Sequence, residues 1–250
     1  MYTKVKTKKE IDSMRQAGKI LANVLQLVSK QVQPGVSTET LAKLVKQELA
    51  KLGGKAAFLG YEGFPDVVCI SVNDEVVHGI PHKDKVVQEG DIVSLDLGVK
   101  YSGMIVDGAI SLIAGKATKE DLALLNTTKE ALQTSLNQIK AGCQVGDISQ
   151  AVQAVLDKRG YGIVKDLVGH GVGHMIHEDP NIPNYGHKGS GPVLEEGMTI
   201  AVEPMATLGT GDVYVDEDGW TVKTKDGSKS CHFEHTILIT KAGCEVLTSV

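Results

Sequence analysis

The chain repeats itself. Pro34-Gly35, Leu41 and Gly53 recur as Ala141-Gly142, Ile148 and Gly160, displaced by 107 residues, and the same displacement carries Glu89-Gly90 onto Glu196-Gly197 and Asp96 onto Glu203. One strand later the displacement lengthens to 127, because the second copy carries a longer excursion. It sets Val106-Asp107-Gly108-Ala109-Ile110 against Phe233-Glu234-His235-Thr236-Ile237. Each copy reads helix, helix, strand, strand, with a carboxylate in the middle of both last strands. Two such halves, about 20–115 and 127–240, are expected to face each other across a pseudo-twofold axis inside a single domain over 1–250, with a site at the centre.

The elements follow from local signals. Thr7-Lys8-Lys9-Glu10 has capping-box form, and Ile11, Met14, Leu21, Val24, Leu25 and Val28 follow at helical spacing. A second helix runs from about Thr38 to Leu52 and ends at Gly53-Gly54. Thr118 is expected to cap a helix to about Lys140, and Asp147 another to about Arg159. β-Branched runs at Val67–Ile70, Ile92–Leu95, Ile110–Ile113, Met198–Val202 and Phe233–Ile239 read as strands.

Composition closes off several classes. No run approaches the ~18 apolar residues of a membrane span, and a net charge of −5 argues against a dedicated nucleic-acid binder. The four cysteines form no CxxC pair and read as reduced thiols of a cytoplasmic protein. Met1–Glu10 holds four lysines and no apolar stretch, so no secretory leader is expected. Glycine is the outlier at 28 residues, many of them beside His, Asp or Glu, which suggests backbone approaching something closely.

The acids carry the chemistry. Asp96 and Asp107 lie inside apolar β-patterned runs, where a lone carboxylate is costly to bury. A hairpin loop at Lys100–Gly103 would set the two directly opposite each other, and like charges at that range need a proton or a cation between them. Glu203 and Glu234 face the same problem on their own strands. The competing reading is four surface acids on exposed strand faces; the apolar neighbours Leu95, Leu97, Val106, Val202 and Phe233 argue against it. Gly169-His170-Gly171-Val172-Gly173-His174-Met175-Ile176-His177 supplies imidazoles, and its glycines disfavour a helix. An extended or looped segment would put His170 and His174 on one side and turn His177 elsewhere. His82, His174, His187, His232 and His235 read as structural or surface residues. Four carboxylates and an imidazole suit Mn²⁺, Fe²⁺ or Co²⁺ better than a thiolate-type zinc site. A pair of such ions would lower the pKa of a water toward ~7, and without a Walker-type phosphate loop a carbonyl is the preferred target.

The residues resemble a known family. Gly60-Tyr61-Glu62-Gly63-Phe64-Pro65, Val68–Asn73, Val77-His78-Gly79-Ile80-Pro81, Gly90-Asp91-Ile92-Val93, Gly169–Gly173, His177-Glu178-Asp179-Pro180, Ile200–Pro204, Asp218–Thr221 and Glu234-His235-Thr236 form an ordered, spaced set. It is similar to the bacterial type I methionine aminopeptidases of peptidase family M24, over essentially the whole length. The resemblance implies an α+β pita-bread (creatinase/aminopeptidase) fold and excision of N-terminal methionine from nascent chains and peptides with a small second residue. It implies two divalent ions (Co²⁺, Mn²⁺, Fe²⁺ or Zn²⁺), with Asp96 on one, Asp107 and Glu234 bridging, and His170 and Glu203 completing the other. Glu203 would shuttle a proton, His177 would stabilise the oxyanion and His78 would contact the scissile amide. Tyr61, Phe64, Cys69 and Trp220 would form the methionine pocket, whose apolar walls suit a thioether. Gly98 and Gly108 stand where relatives often carry Thr, and the missing hydroxyls are expected to alter metal affinity or preference; Ile176 stands where an aromatic is common, so a wider pocket is expected on that side. Xaa-Pro aminopeptidases and non-enzymatic pita-bread binding modules are the alternatives. Lys4, Lys6, Lys8 and Lys9 read as a solvated tail, with a ribosome contact conceivable. The protein is expected to be a cytoplasmic monomer that engages no membrane.

Overall fold

A computed structural model describes residues 5–249. Its helices begin and end where side chains complete the backbone's hydrogen bonding. α1 (Lys8–Ser29) opens on a capping box in which Glu10 N–H donates to the Thr7 hydroxyl and Thr7 N–H donates to the Glu10 carboxylate. It buries Met14, Leu21, Val24, Leu25 and Val28, the stripe that the spacing predicts. α2 (Thr38–Leu52) starts at the Ser37 cap and stops at Gly53 in the left-handed conformation. α3 (Lys119–Leu136) is capped by Thr118. It ends four residues short of Lys140, at the position that the repeat pairs with the last residue of α1. α4 (Val145–Arg159) has Gln144 as its cap. Asp147 lies three residues in, where its carboxylate accepts the Gln144 N–H at 2.9 Å, so it closes the box from inside the helix.

The repeat is visible in the backbone. α2 and α4 match end to end at a displacement of 107 residues. The same displacement relates the isolated bridge Ser37–Val86 to the bridge Gln144–Val193. Each half also has its own apolar core. One joins α1 and α2 to Leu95, Leu97, Val99 and Val106; the other joins α3 and α4 to Ile200, Val202, Phe233 and Ile237. The first core lies under the hairpin Ile92–Tyr101/Met104–Ile113, and the strand Cys69–Val72 pairs with the hairpin's outer edge. The second lies under a five-stranded sheet whose middle members are His235–Ile239, Thr199–Val202 and Gly169–Gly171.

Two strand expectations need correction. The hairpin turns through Ser102-Gly103, both at positive φ (48° and 89°), a two-residue connection whose twist suits antiparallel strands. The expected four-residue loop would have opposed Asp96 to Asp107. The actual register opposes Asp96 to Ala109 and Gly98 to Asp107. The two acids are therefore diagonal neighbours on one face, still within reach of each other. In the second half neither acid is mid-strand. Glu203 directly follows Thr199–Val202 and Glu234 directly precedes His235–Ile239, one step beyond the last pair Val202–His235.

Candidate active site

The halves meet along a short antiparallel contact. Glu234 N–H donates to Ala109 O at 2.9 Å and Ala109 N–H returns to Glu234 O at 3.3 Å. Two residues away, Asp107 N–H donates to the Thr236 hydroxyl at 2.8 Å, which itself donates to Asp107 O at 2.7 Å. A twofold exchanging Asp107 with Glu234 and Ala109 with Thr236 maps this contact onto itself. The acids of the two copies are thus brought face to face by backbone pairing, independently of any attraction between their side chains.

One cavity of about 320 Å³ gathers Asp96, Asp107, His170, Glu203 and Glu234. Ligand atoms of Asp107, His170 and Glu234 all lie within 4.8 Å of one another, and His170 Nε2 is 3.4 Å from Glu203 Oε1. His170 Nδ1 lies 2.9 Å from the Gly171 carbonyl. A carbonyl only accepts, so Nδ1 carries the proton and Nε2 presents its lone pair to the carboxylates. The Glu203 backbone is held by Asn184, whose amide donates to Glu203 O at 3.0 Å.

Burial sets the electrostatics. It pushes Asp96, Glu203 and Glu234 well above the ordinary carboxylate range, aided for each by the charge of Asp107, and raises Asp107 to about 7 against the pull of the Gly108 N–H. Burial likewise lowers His170 to about 3 and His78 to about 4, so both rings are neutral. Among the described residues, Asp96 Oδ1 and Glu234 Oε1 are buried with no hydrogen-bond partner. Oxygen atoms of this kind, on clustered acids that repel one another, fit divalent cations.

Beside the acids the cavity is apolar and aromatic. Phe64 meets Trp220 edge-on at 5.2 Å and Phe58 at 6.4 Å, and His78 faces Trp220 at 6.5 Å. Cys69 is opposed to Asp96 on the neighbouring strand, and burial, reinforced by that charge, raises its thiol well above the ordinary value; it is a neutral wall. His78 is held at φ 59°, an uncommon conformation for a side-chain-bearing residue. Next to it, a Cβ on Gly79 would lie 2.4 Å from Ile70 O, so glycine is required there.

The histidine segment needs correction. His170 and His177 stand together, their rings edge-on at 4.5 Å, and Tyr61 Oη shares a 3.1 Å hydrogen bond with His177 Nδ1. His174 is the one turned away, bonded to Glu10 at 2.8 Å. His82 and His187 lie outside the cavity, and His235 bonds Thr248. His232 departs from its structural reading: it lines the cavity, its Nε2 3.7 Å from Glu203 and 3.9 Å from Glu234. Its place two residues before Glu234 was the available signal. Phe58 also lines the cavity and was not anticipated; nothing in the sequence around it marks it. It explains Gly98, since a Cβ there would lie 2.7 Å from Phe58 and 3.0 Å from Ile176. The space beside Gly98 is filled by Phe58, Ala57 and Ile176. Lys6 is also not a solvated tail residue. Its ammonium is buried against Glu178 at 3.1 Å, whereas Lys8 and Lys9 are exposed and Lys4 lies outside the described residues.

Residues 12–241 match metallopeptidase family M24, and the chain belongs to that family. The methionine aminopeptidase of Aquifex aeolicus is 45% identical over 260 residues, with all of both chains covered. The crystal structure of methionine aminopeptidase from Thermotoga maritima is 46% identical with a TM-score of 0.98, covering 99% of this chain and 100% of that one. Prolidase from Pyrococcus furiosus is 24% identical with a TM-score of 0.80, covering 98% of this chain and 65% of that chain, and shares the fold. That fold is the pita-bread architecture. Full-length identity favours the methionine aminopeptidases over the Xaa-Pro enzymes and over a binding module. No helix among the described residues is long and apolar enough to cross a membrane.

Proposed function

We propose that this chain removes N-terminal methionine from polypeptides, with Asp96, Asp107, His170, Glu203 and Glu234 holding two divalent ions beside a methionine pocket. The observation that carries this reading is the meeting of dyad-related buried acids, with oxygens lacking hydrogen-bond partners, at the side of an apolar, aromatic cavity. Such ions, when bound, acidify a water and polarise a carbonyl. Phe64, Trp220, Tyr61 and Cys69 hold the methionine side chain, whose thioether tolerates their irregular surface. Glu203 takes up the proton of the attacking water and passes it to the departing amine. His177 donates to the oxygen of the scissile carbonyl as negative charge develops there, and His78 orients the scissile amide. A preference for small second residues would follow from a tight space beyond the scissile bond. The protein works as a cytoplasmic monomer on nascent chains, where exposed Lys8 and Lys9 could supply a salt-dependent contact with the ribosome.

The test is methionine release from Met-Ala-Xaa peptides by metal-stripped protein titrated with Mn²⁺, Fe²⁺, Co²⁺ and Zn²⁺. Release that depends on added ion is expected. Cleavage of Xaa-Pro peptides in preference to Met-Ala peptides would overturn the assignment.

A further inference from the structure

His232 is 1% exposed, and both of its ring nitrogens are without a hydrogen-bond partner among the described residues. A buried imidazole with nothing to bond is costly, and an apolar side chain would fill the space without that cost. The backbone that carries the ring is held in place. Ser111 of the opposite half accepts the His232 N–H at 2.9 Å and donates to the His232 carbonyl at 2.7 Å, and the strand Ser230–His232 pairs with Met205–Thr207.

Glu203 sits between two imidazoles of different character. Its Oε1 faces His170 Nε2 at 3.4 Å, and that nitrogen carries only a lone pair because Nδ1 is bonded to Gly171. Its Oε2 faces His232 Nε2 at 3.7 Å, and Glu234 Oε2 is 3.9 Å from the same atom. Nothing fixes the tautomer of His232, so Nε2 is free to carry the proton and point it at both carboxylates. A carboxylate shift of under about 1 Å closes either gap to an ordinary N–H···O distance.

Resting on the metal-centre reading above, we propose that His232 is a positioning residue of that centre, its Nε2–H donating to the Glu203–Glu234 carboxylate pair and holding it in the ion-binding arrangement. Groups of this kind set the orientation of ligating carboxylates without touching the ion.

The experiment titrates metal-stripped wild type, H232Q and H232L with Co²⁺ by calorimetry and records the Co²⁺ absorption spectrum of each. H232L is expected to bind ~10–100-fold more weakly, while H232Q, whose amide N–H replaces the Nε2 donor, stays within about threefold and keeps the wild-type spectrum. Wild-type affinity in H232L would overturn the proposal by making the ring a filler. An equal loss in H232Q and H232L, with a changed spectrum, would overturn it by making the ring a direct ligand. Wild type that binds no Co²⁺ would sink the underlying metal centre instead. If leucine is not accommodated, H232A carries the same comparison.

Discussion

Asp107 and Glu234 differ from Asp96 and Glu203 in lying on the contact between halves, where backbone bonds fix them. Asp107→Asn and Glu234→Gln are each expected to abolish methionine release and to lower bound metal measured by elemental analysis. His177 is placed differently, on an accessible loop and bonded to Tyr61. His177→Ala should lower kcat by roughly 10²-fold while metal content holds, as for loss of an oxyanion donor. The acids also give a pH dependence with a definite sign. In the metal-free protein burial raises Asp107 to about 7 and pushes Asp96, Glu203 and Glu234 well above the ordinary carboxylate range, so protons compete with ions for these oxygens, whereas ion binding requires carboxylates. Ions must therefore displace protons, and affinity should rise with pH through and above 7. Calorimetry in buffers of different ionisation enthalpy should register that release, and heats independent of buffer would refute it. The four acids were legible because carboxylates interrupted apolar runs at repeating positions, whereas His170 drew notice only beside them and was set among the ligands by resemblance. His232 was not legible, because its one signal was its place two residues before Glu234, and no repeat marked that position.

At the scale of elements, the loop between Gly169–Gly171 and Glu178–Ile182 carries His177 and is held at both ends. Glu178 accepts the His174 N–H at 2.7 Å and the Met175 N–H at 3.0 Å, and Lys6 reaches it from the segment before α1. Lys6 and Glu178 are both shielded from solvent, so removing the lysine charge takes one charged donor from a buried carboxylate that keeps its bonds to the His174 and Met175 N–H groups. Lys6→Met is expected to cost about 3 kcal/mol of stability and to reduce kcat by loosening the loop. Adding Glu178→Gln should recover part of the stability, and thermal denaturation of the two single variants and the double variant measures the coupling. This staple was hidden in the sequence because its partners are far apart and lysines near a chain end are usually solvated. The helices were far more legible: capping residues and apolar spacing are local, α2 has the expected bounds, and α4 ends as expected but has its cap three residues earlier, at Gln144. The hairpin register was misread by two residues because the tight turn needs Ser102 at positive φ, which residue type alone does not announce.

For the whole molecule, the repeat has an energetic consequence. Each half buries an apolar core of its own, while the centre between them buries four carboxyl groups at the cost of their hydration. The cores reward folding of each half, and the centre opposes it unless cations bind. Ion removal should therefore weaken the molecule first at its middle. A site at 100 times its dissociation constant adds about 2.7 kcal/mol, so stripping the ions should lower the Tm measurably and restoring them should return it. Hydrogen exchange locates the change. Amides of Asp107, Ala109 and Glu234 should lose protection on chelation, whereas α2 and α4, which lie within separate cores, should keep theirs. Uniform loss across both helices would mean that the ions hold up the whole fold, and unchanged protection at the contact would mean that backbone pairing alone joins the halves.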